Sequence, residues 1–160
     1  MAQISKLVRK KLGEVLVEEG ALRDEQVTEG LKRQRSTGEF FGEALVALNY
    51  CSEVDIARSI VRQFGLPFLD ASKYRIAREA LDAVPGELMW QNQFIVLDKI
   101  GKALVIAVSG VLPGEVFEKL EKVSGSQLFL YVSTMGQIRE ALKKNRPMNQ
   151  PAANPAAGKK

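Results

Sequence analysis

Apolar side chains enter the chain at helical intervals: Ile4, Leu7, Val8, Leu12, Val15 and Leu16 are spaced by three, four or one, with Lys6, Arg9, Lys10 and Glu14 between them. That stripe predicts an amphipathic helix. Gly20 marks its end, and a second helix is expected from Asp24, its cap, to about Arg35. The pattern then returns. Lys11 to Gln34 reads KLGEVLVEEGALRDEQVTEGLKRQ and Phe40 to Gln63 reads FFGEALVALNYCSEVDIARSIVRQ, with Gly13 on Gly42, Glu14 on Glu43, Leu16 on Leu45, Val27 on Ile56 and Gln34 on Gln63 at one offset of 29 residues. A fixed period of this size signals a duplicated supersecondary unit, and two copies suit a pseudo-twofold pair of helical hairpins. In the second copy Asn49 stands where Gly20 was, and Ser52 and Asp55 form a capping-box start to a helix that ends at Gly65 and Pro67.

Beyond Leu66-Pro67-Phe68-Leu69-Asp70 the pattern becomes extended. Short helices are expected over 76–84 and, after Pro85, over 87–90. Branched runs at 94–97 and 103–108 read as a hairpin joined by 98–102, followed by a helix over 115–123, a strand over 127–132 and a helix over 134–143 capped by Thr134. The fold class is therefore α+β. Residues 1–65 form a four-helix pair of repeated hairpins, 66–145 a small α/β unit with a three-stranded sheet, and 146–160, rich in proline and alanine, a disordered tail or linker.

Composition adds little to this picture. Of 160 residues 46% are hydrophobic and 26% charged, and the net charge of +4 is dispersed along helices, so it does not point to nucleic acid. The lone Cys51 falls at the repeat position of Leu22 and reads as a small buried side chain. No apolar run reaches the roughly 20 residues of a membrane span and no secretory signal opens the chain, so a cytoplasmic protein without direct membrane insertion is expected.

The candidate chemistry is binding rather than turnover. Histidine is absent, one cysteine cannot build a thiolate zinc site, and Gly101-Lys102 lacks the rest of a phosphate loop, so neither an enzyme nor a required cofactor or metal is expected. A glycine inside a helical stripe costs up to about 1 kcal/mol, and Gly13 and Gly42 carry that oddity at matched positions. Each glycine admits a helix break or a close approach; apolar neighbours offer a flat surface for a ring, and Gln34 and Gln63 close the copies. Such a pair suits a twofold-symmetric ligand. Equally, the glycines could serve tight helix crossing while the glutamines face solvent.

The repeated L-G-E-x-L-V-x-x-G…Q pattern, with Gly65-Leu66-Pro67-Phe68-Leu69-Asp70 and Val84-Pro85 after it, resembles the N-terminal domain of type II secretion and type IV pilus assembly ATPases over about residues 5 to 143. The resemblance implies a regulatory domain ahead of an ATPase core, one that docks on a secretion or pilus partner at an inner-membrane complex and in a subset binds cyclic di-GMP. In that subset each motif opens with Arg-Leu-Gly and closes with Gln. Here Lys11 replaces arginine while Leu12, Gly13, Leu16, Gly20 and Gln34 match. In the second copy Phe40 and Phe41 replace Arg-Leu, while Gly42, Leu45 and Gln63 remain. Lysine keeps the charge without the planar fork, and an aromatic can stack on guanine but cannot meet a phosphate, a deficit Lys32 and Arg35 could make up in part. The chain, ending without an ATPase core, reads as an excised domain or a stand-alone regulator; a pure protein–protein adaptor with a degenerate site is the rival.

Overall fold

The computed structural model describes residues 10–147. Ile4, Leu7 and Val8 therefore lie outside the described residues; among the described residues the first helix is α1 (Leu12–Glu18), with Lys10 and Lys11 before it non-helical although the stripe predicts a helix through them. The reason is local: the Glu14 carboxylate accepts the backbone N–H of Lys11 at 2.8 Å, closing the helix N-terminus there. The second helix, α2, spans Asp24–Thr37, and its cap is Arg23 rather than Asp24, with Gln26 accepting the Arg23 N–H at 2.9 Å. The second copy forms α3 (Phe41–Ala47) and α4 (Glu53–Phe64). Glu43 repeats the role of Glu14 by accepting the N–H of Phe40 at 3.0 Å.

Within each copy the turn is the same. Gly20 and Asn49 both sit left-handed, at φ +78° and +60°, and the residue after each donates to Leu16 or Leu45 at 2.9 and 3.0 Å. The helices then pair across copies. α1 packs on α4 and α2 on α3, so neither hairpin buries its apolar face without its twin. Gly30 permits the second pairing: a Cβ there would come within 2.7 Å of Leu45 Cδ2 and 2.9 Å of Phe41 Cε1.

The α/β part follows as a 3-10 turn (Ala71–Lys73), α5 (Arg78–Asp82), α6 (Gly86–Asn92), β1 (Phe94–Ile100), β2 (Ala103–Val108), α7 (Gly114–Ser124), β3 (Leu128–Val132) and α8 (Met135–Asn145). The sheet order is β1-β2-β3, antiparallel between β1 and β2 and parallel between β2 and β3. β1 runs three residues beyond its predicted end, because an irregularity between Val96 and Asp98 lets Asp98–Ile100 keep pairing with β2. The segment entering this part lies beside β3, with Leu69 N–H on the Val132 carbonyl at 2.9 Å and Val132 N–H on that of Pro67 at 2.8 Å.

One cluster of buried side chains draws on both parts: Leu16, Leu45, Ile56, Ile60 and Phe64 join Phe94, Ile95, Leu104, Phe117 and Ile138. Arg146, assigned by sequence to the tail, is tied down instead: Trp90 Nε1 donates to its carbonyl and its guanidinium lies 3.7 Å from Asp82. The tail reading for 148–160 lies outside the described residues. No helix among the described residues is long and apolar enough to cross a membrane.

Candidate functional site

Two hollows open along the repeat, each beside one of the matched Gly-Glu pairs. The glycine of each pair is the second residue of its helix, and in each copy it faces the same repeat position: a Cβ on Gly13 would meet Val27 at 3.0 Å, and one on Gly42 would meet Ile56 at 3.5 Å. What lies on the other side differs. Gly13 is met by Phe41 at 3.6 Å, whereas Gly42 is met by the Met135 sulfur of α8 at 2.7 Å. Each glycine thus stands at a helix start, and the atoms close to it are side chains of this chain rather than backbone.

The first hollow, about 270 Å3, lies at Gly13, Val17 and Val27, and its polar wall consists of the carboxyl-bearing residues Glu14, Glu18 and Asp24. The second, about 150 Å3, is formed jointly by the helical part and the α/β part. From the repeat come Leu12, Phe40, Phe41 and Gly42; from the other side come Gln93, the turn after β2 at 109–111, and Met135 and Arg139 of α8. Leu12 and Phe41 are repeat equivalents and both line this hollow.

The chain is led into Phe40 by a fixed turn. Gly38 is left-handed at φ +79°, and Glu39 accepts from Arg33 Nε at 2.8 Å and Thr37 Oγ1 at 2.9 Å. Those hydrogen bonds, the Arg33 guanidinium first, hold the Glu39 carboxyl below its usual range. Phe40 is left 37% exposed at the mouth of the hollow. Across it, Glu43 divides its oxygens: Oε1 caps α3, and Oε2 accepts from Arg139 Nη2. A second tie, Gly136 N–H to Glu53 Oε1 at 2.8 Å, fixes the start of α8 against α4.

Deeper, Gln93 ends α6 in a left-handed conformation at φ +53° and is 8% exposed. Its Nε2 donates to the Trp90 carbonyl at 2.8 Å and its backbone carbonyl accepts from Ser109 Oγ at 3.3 Å, while its Oε1 is buried with no hydrogen-bond partner among the described residues.

Of the residues singled out in the sequence, Leu12, Phe40, Phe41 and Gly42 come together at the second hollow and Gly13 lines the first. Leu16 and Leu45 have no exposed surface, so they hold the floor of the repeat. Lys11 is exposed at the start of α1; Gln34, half-buried, and Arg35, exposed, lie near the end of α2 and line neither hollow. Gln63 is engaged in packing: it accepts from Lys10 Nζ and donates to Glu19 at 2.6 Å, fastening α4 to α1. Arg139 and Gln93 escaped the sequence reading, since nothing near them in the chain marks them. Cys51 is half-buried, and burial, with Asp55 adding to it, pushes its thiol up to about 11, which keeps it protonated near neutral pH. No group of metal-ligating side chains occurs among the described residues. A larger groove of about 520 Å3 between α6 and α7 lies apart from both motifs.

The family model for the MshEN domain matches residues 64–150, the α/β part and its flanks. The type IV pilus assembly ATPase PilB of Thermus thermophilus is 28% identical over 152 residues, 93% of this chain and 17% of that protein. PilB of Myxococcus xanthus is 24% identical over 136 residues, 84% of this chain and 24% of that protein. The chain thus spans less than a quarter of the length of these curated relatives. Among solved structures, that of MshE with cdg is similar at a TM-score of 0.59 and 26% identity, covering 86% of this chain and 99% of that one. The N-terminal domain of XpsE, at a TM-score of 0.62 and 18% identity over 84% of this chain and 92% of that one, shares the fold.

Proposed function

Because the chain belongs to the MshEN domain family, we propose that it is a non-catalytic binding module that takes cyclic di-GMP along its duplicated motif and passes that signal to a protein of a secretion or pilus-assembly machine. The observation that carries this reading is the likeness to MshE, solved with cdg, over nearly the whole of that chain. The doubled Gly-Glu helix start supports it, since a symmetric dinucleotide suits a site built twice. In this reading Leu12, Phe40 and Phe41 supply apolar surface for the bases, Lys11, Gln34 and Arg35 supply polar contacts from outside the hollows, Gln63 holds α4 to α1, Gly13 and Gly42 allow close approach, and Leu16 and Leu45 support the floor. The partner class is supported by the relatives, which are pilus assembly ATPases.

The adaptor reading keeps one observation in its favour: side chains of this chain, Val27, Phe41 and Met135, already occupy the space beside both glycines. Isothermal titration separates the two. Saturable binding of cyclic di-GMP but not of ATP or GTP, weakened by Lys11→Ala and Gln34→Ala, is the expected result. Silence toward all three by a protein shown to be folded would overturn the proposal and leave the adaptor.

A further inference from the structure

We propose that Arg139 supplies the cationic contact that the second motif lacks at Phe40, with the hollow at Gly42 seating one nucleobase of the ligand and the Arg139 guanidinium meeting its phosphate. This rests on the reading of the chain as a cyclic dinucleotide module. The sequence leaves the second copy without a cation at its opening, and the nearby candidates, Lys32 and Arg35, line neither hollow. Arg139 does line the second one, although it lies far along the chain in α8.

Its setting suits an anion at the rim. The side chain is 38% exposed, so a ligand can reach it, yet it is held in place by Glu43 Oε2. Guanidinium carries five N–H donors in a fixed fork, so bonding Glu43 through Nη2 leaves donors for a phosphate. Glu43 is itself fixed, because its other oxygen caps α3. The first hollow has the opposite character, with Glu14, Glu18 and Asp24 on its wall. Phosphate would be repelled there; here the lining carboxylate of Glu43 is balanced by Arg139, whose guanidinium keeps further donors free.

A second observation points to a ligand independently. Gln93 lines the same hollow, is 8% exposed and carries a buried Oε1 without a partner among the described residues. Buried acceptors are nearly always satisfied, and a nucleobase offers ring and exocyclic N–H donors that would satisfy this one. Size limits what enters. At about 150 Å3 the hollow is below the roughly 300 Å3 at which drug-sized pockets begin, so it takes one ring system and leaves the rest of a dinucleotide outside. The rings of Phe40 and Phe41 provide the apolar contact for that base.

The test is titration of the whole chain with cyclic di-GMP at two salt concentrations, comparing the parent with Arg139→Ala, Arg139→Lys and Glu43→Gln, each checked for its melting temperature. Losing a charged hydrogen bond predicts affinity about tenfold to a hundredfold weaker for Arg139→Ala, with partial recovery in Arg139→Lys and a shallower salt dependence. Glu43→Gln keeps the capping oxygen while releasing Arg139 from its ion pair, so it should bind as well as the parent or better. If the arginine matters only by tying α8 to α3, Arg139→Ala and Glu43→Gln will weaken binding alike, and the proposal falls. It falls also if Arg139→Ala binds like the parent while Lys11→Ala does not, which leaves the broader reading standing. A folded parent that binds nothing overturns both.

Discussion

The two copies of the repeat share a skeleton and differ in what they show to solvent. Both start their first helix with a glutamate reaching back to a backbone N–H, turn through a left-handed residue at the same place, and set their glycine against the branched side chain at one repeat position, Val27 or Ile56. Their hollows, by contrast, differ in charge and in construction. One is walled by three carboxyl-bearing residues of the repeat; the other borrows Gln93, Met135 and Arg139 from the α/β part. The positions the two copies share include those that shape the helix starts and turns, and several of the positions at which they differ line the hollows. Reading the second copy as the more degraded follows from its own residues only, whereas its hollow also holds Arg139, a cation from elsewhere in the fold.

The largest expected effect comes from forcing the copies to be alike where they are not. Gly30 of the first copy corresponds to Ser59 of the second, which is buried and bonds the Asp55 carbonyl at 2.9 Å. A Cβ at Gly30 would come within 2.7 Å of a methyl of Leu45, which has no exposed surface and little room to move. Gly30→Ser should therefore destabilise by about 1–3 kcal/mol, despite relief of a mid-helix glycine. Ser59→Gly should cost only about 1 kcal/mol through helix propensity. Denaturant melts of both variants check this, and equal losses would mean that the two helix crossings are equally tight.

These details divide along a physical line between what the sequence carries and what it does not. Positive φ leaves a mark in composition, so Gly20 and Asn49 were legible, as was the Ser52–Asp55 cap, where both bonds measure 3.0 Å. The strands and the order of the helices followed from periodicity. The start of α1 at Leu12 did not, because nothing in the apolar stripe marks the break at Lys10 and Lys11 that the Glu14 cap accompanies. The end of β1 did not either, since pairing through an irregularity depends on β2 rather than on local residues. Gly30 was detectable as a lone glycine inside a helical run. Arg139 and Gln93 were not, since only tertiary packing brings them to Phe40.

A smaller effect separates the two motif glycines. Alanine at Gly13 would meet a methyl of Val27 at 3.0 Å, and a branched side chain within α2 has few alternative rotamers. Alanine at Gly42 would meet the Met135 sulfur at 2.7 Å, but that is the far end of a flexible side chain. Gly13→Ala should lower stability by up to about 1 kcal/mol. Gly42→Ala should melt close to the parent, because Met135 swings aside, yet it should lose cyclic di-GMP affinity because Met135 lines the second hollow. Melting curves and titration on the same preparations decide it: parent-like affinity in Gly42→Ala would show that the second hollow is not the seat of the ligand.

The smallest effect is electrostatic and distinguishes the copies by pH. The cap at the start of α4 uses Asp55, whereas the matching residue at the start of α2 is the neutral Gln26. Hydrogen bonds from the Ser52 backbone and then its side chain lower the Asp55 pKa. A carboxyl whose folded pKa is depressed contributes stability that is complete above its unfolded value, about 3.9, and is lost as pH falls through the folded value. The parent should therefore lose part of its stability on acidification below the ordinary aspartate range. Asp55→Gln gives the second copy the neutral acceptor of the first, so its melting temperature should fall less steeply over the same interval, from a slightly lower value at neutral pH. If both proteins follow one curve, the acid limb belongs to other carboxyls, among which Glu39, held down by Arg33 in the turn before Phe40, is the next to replace.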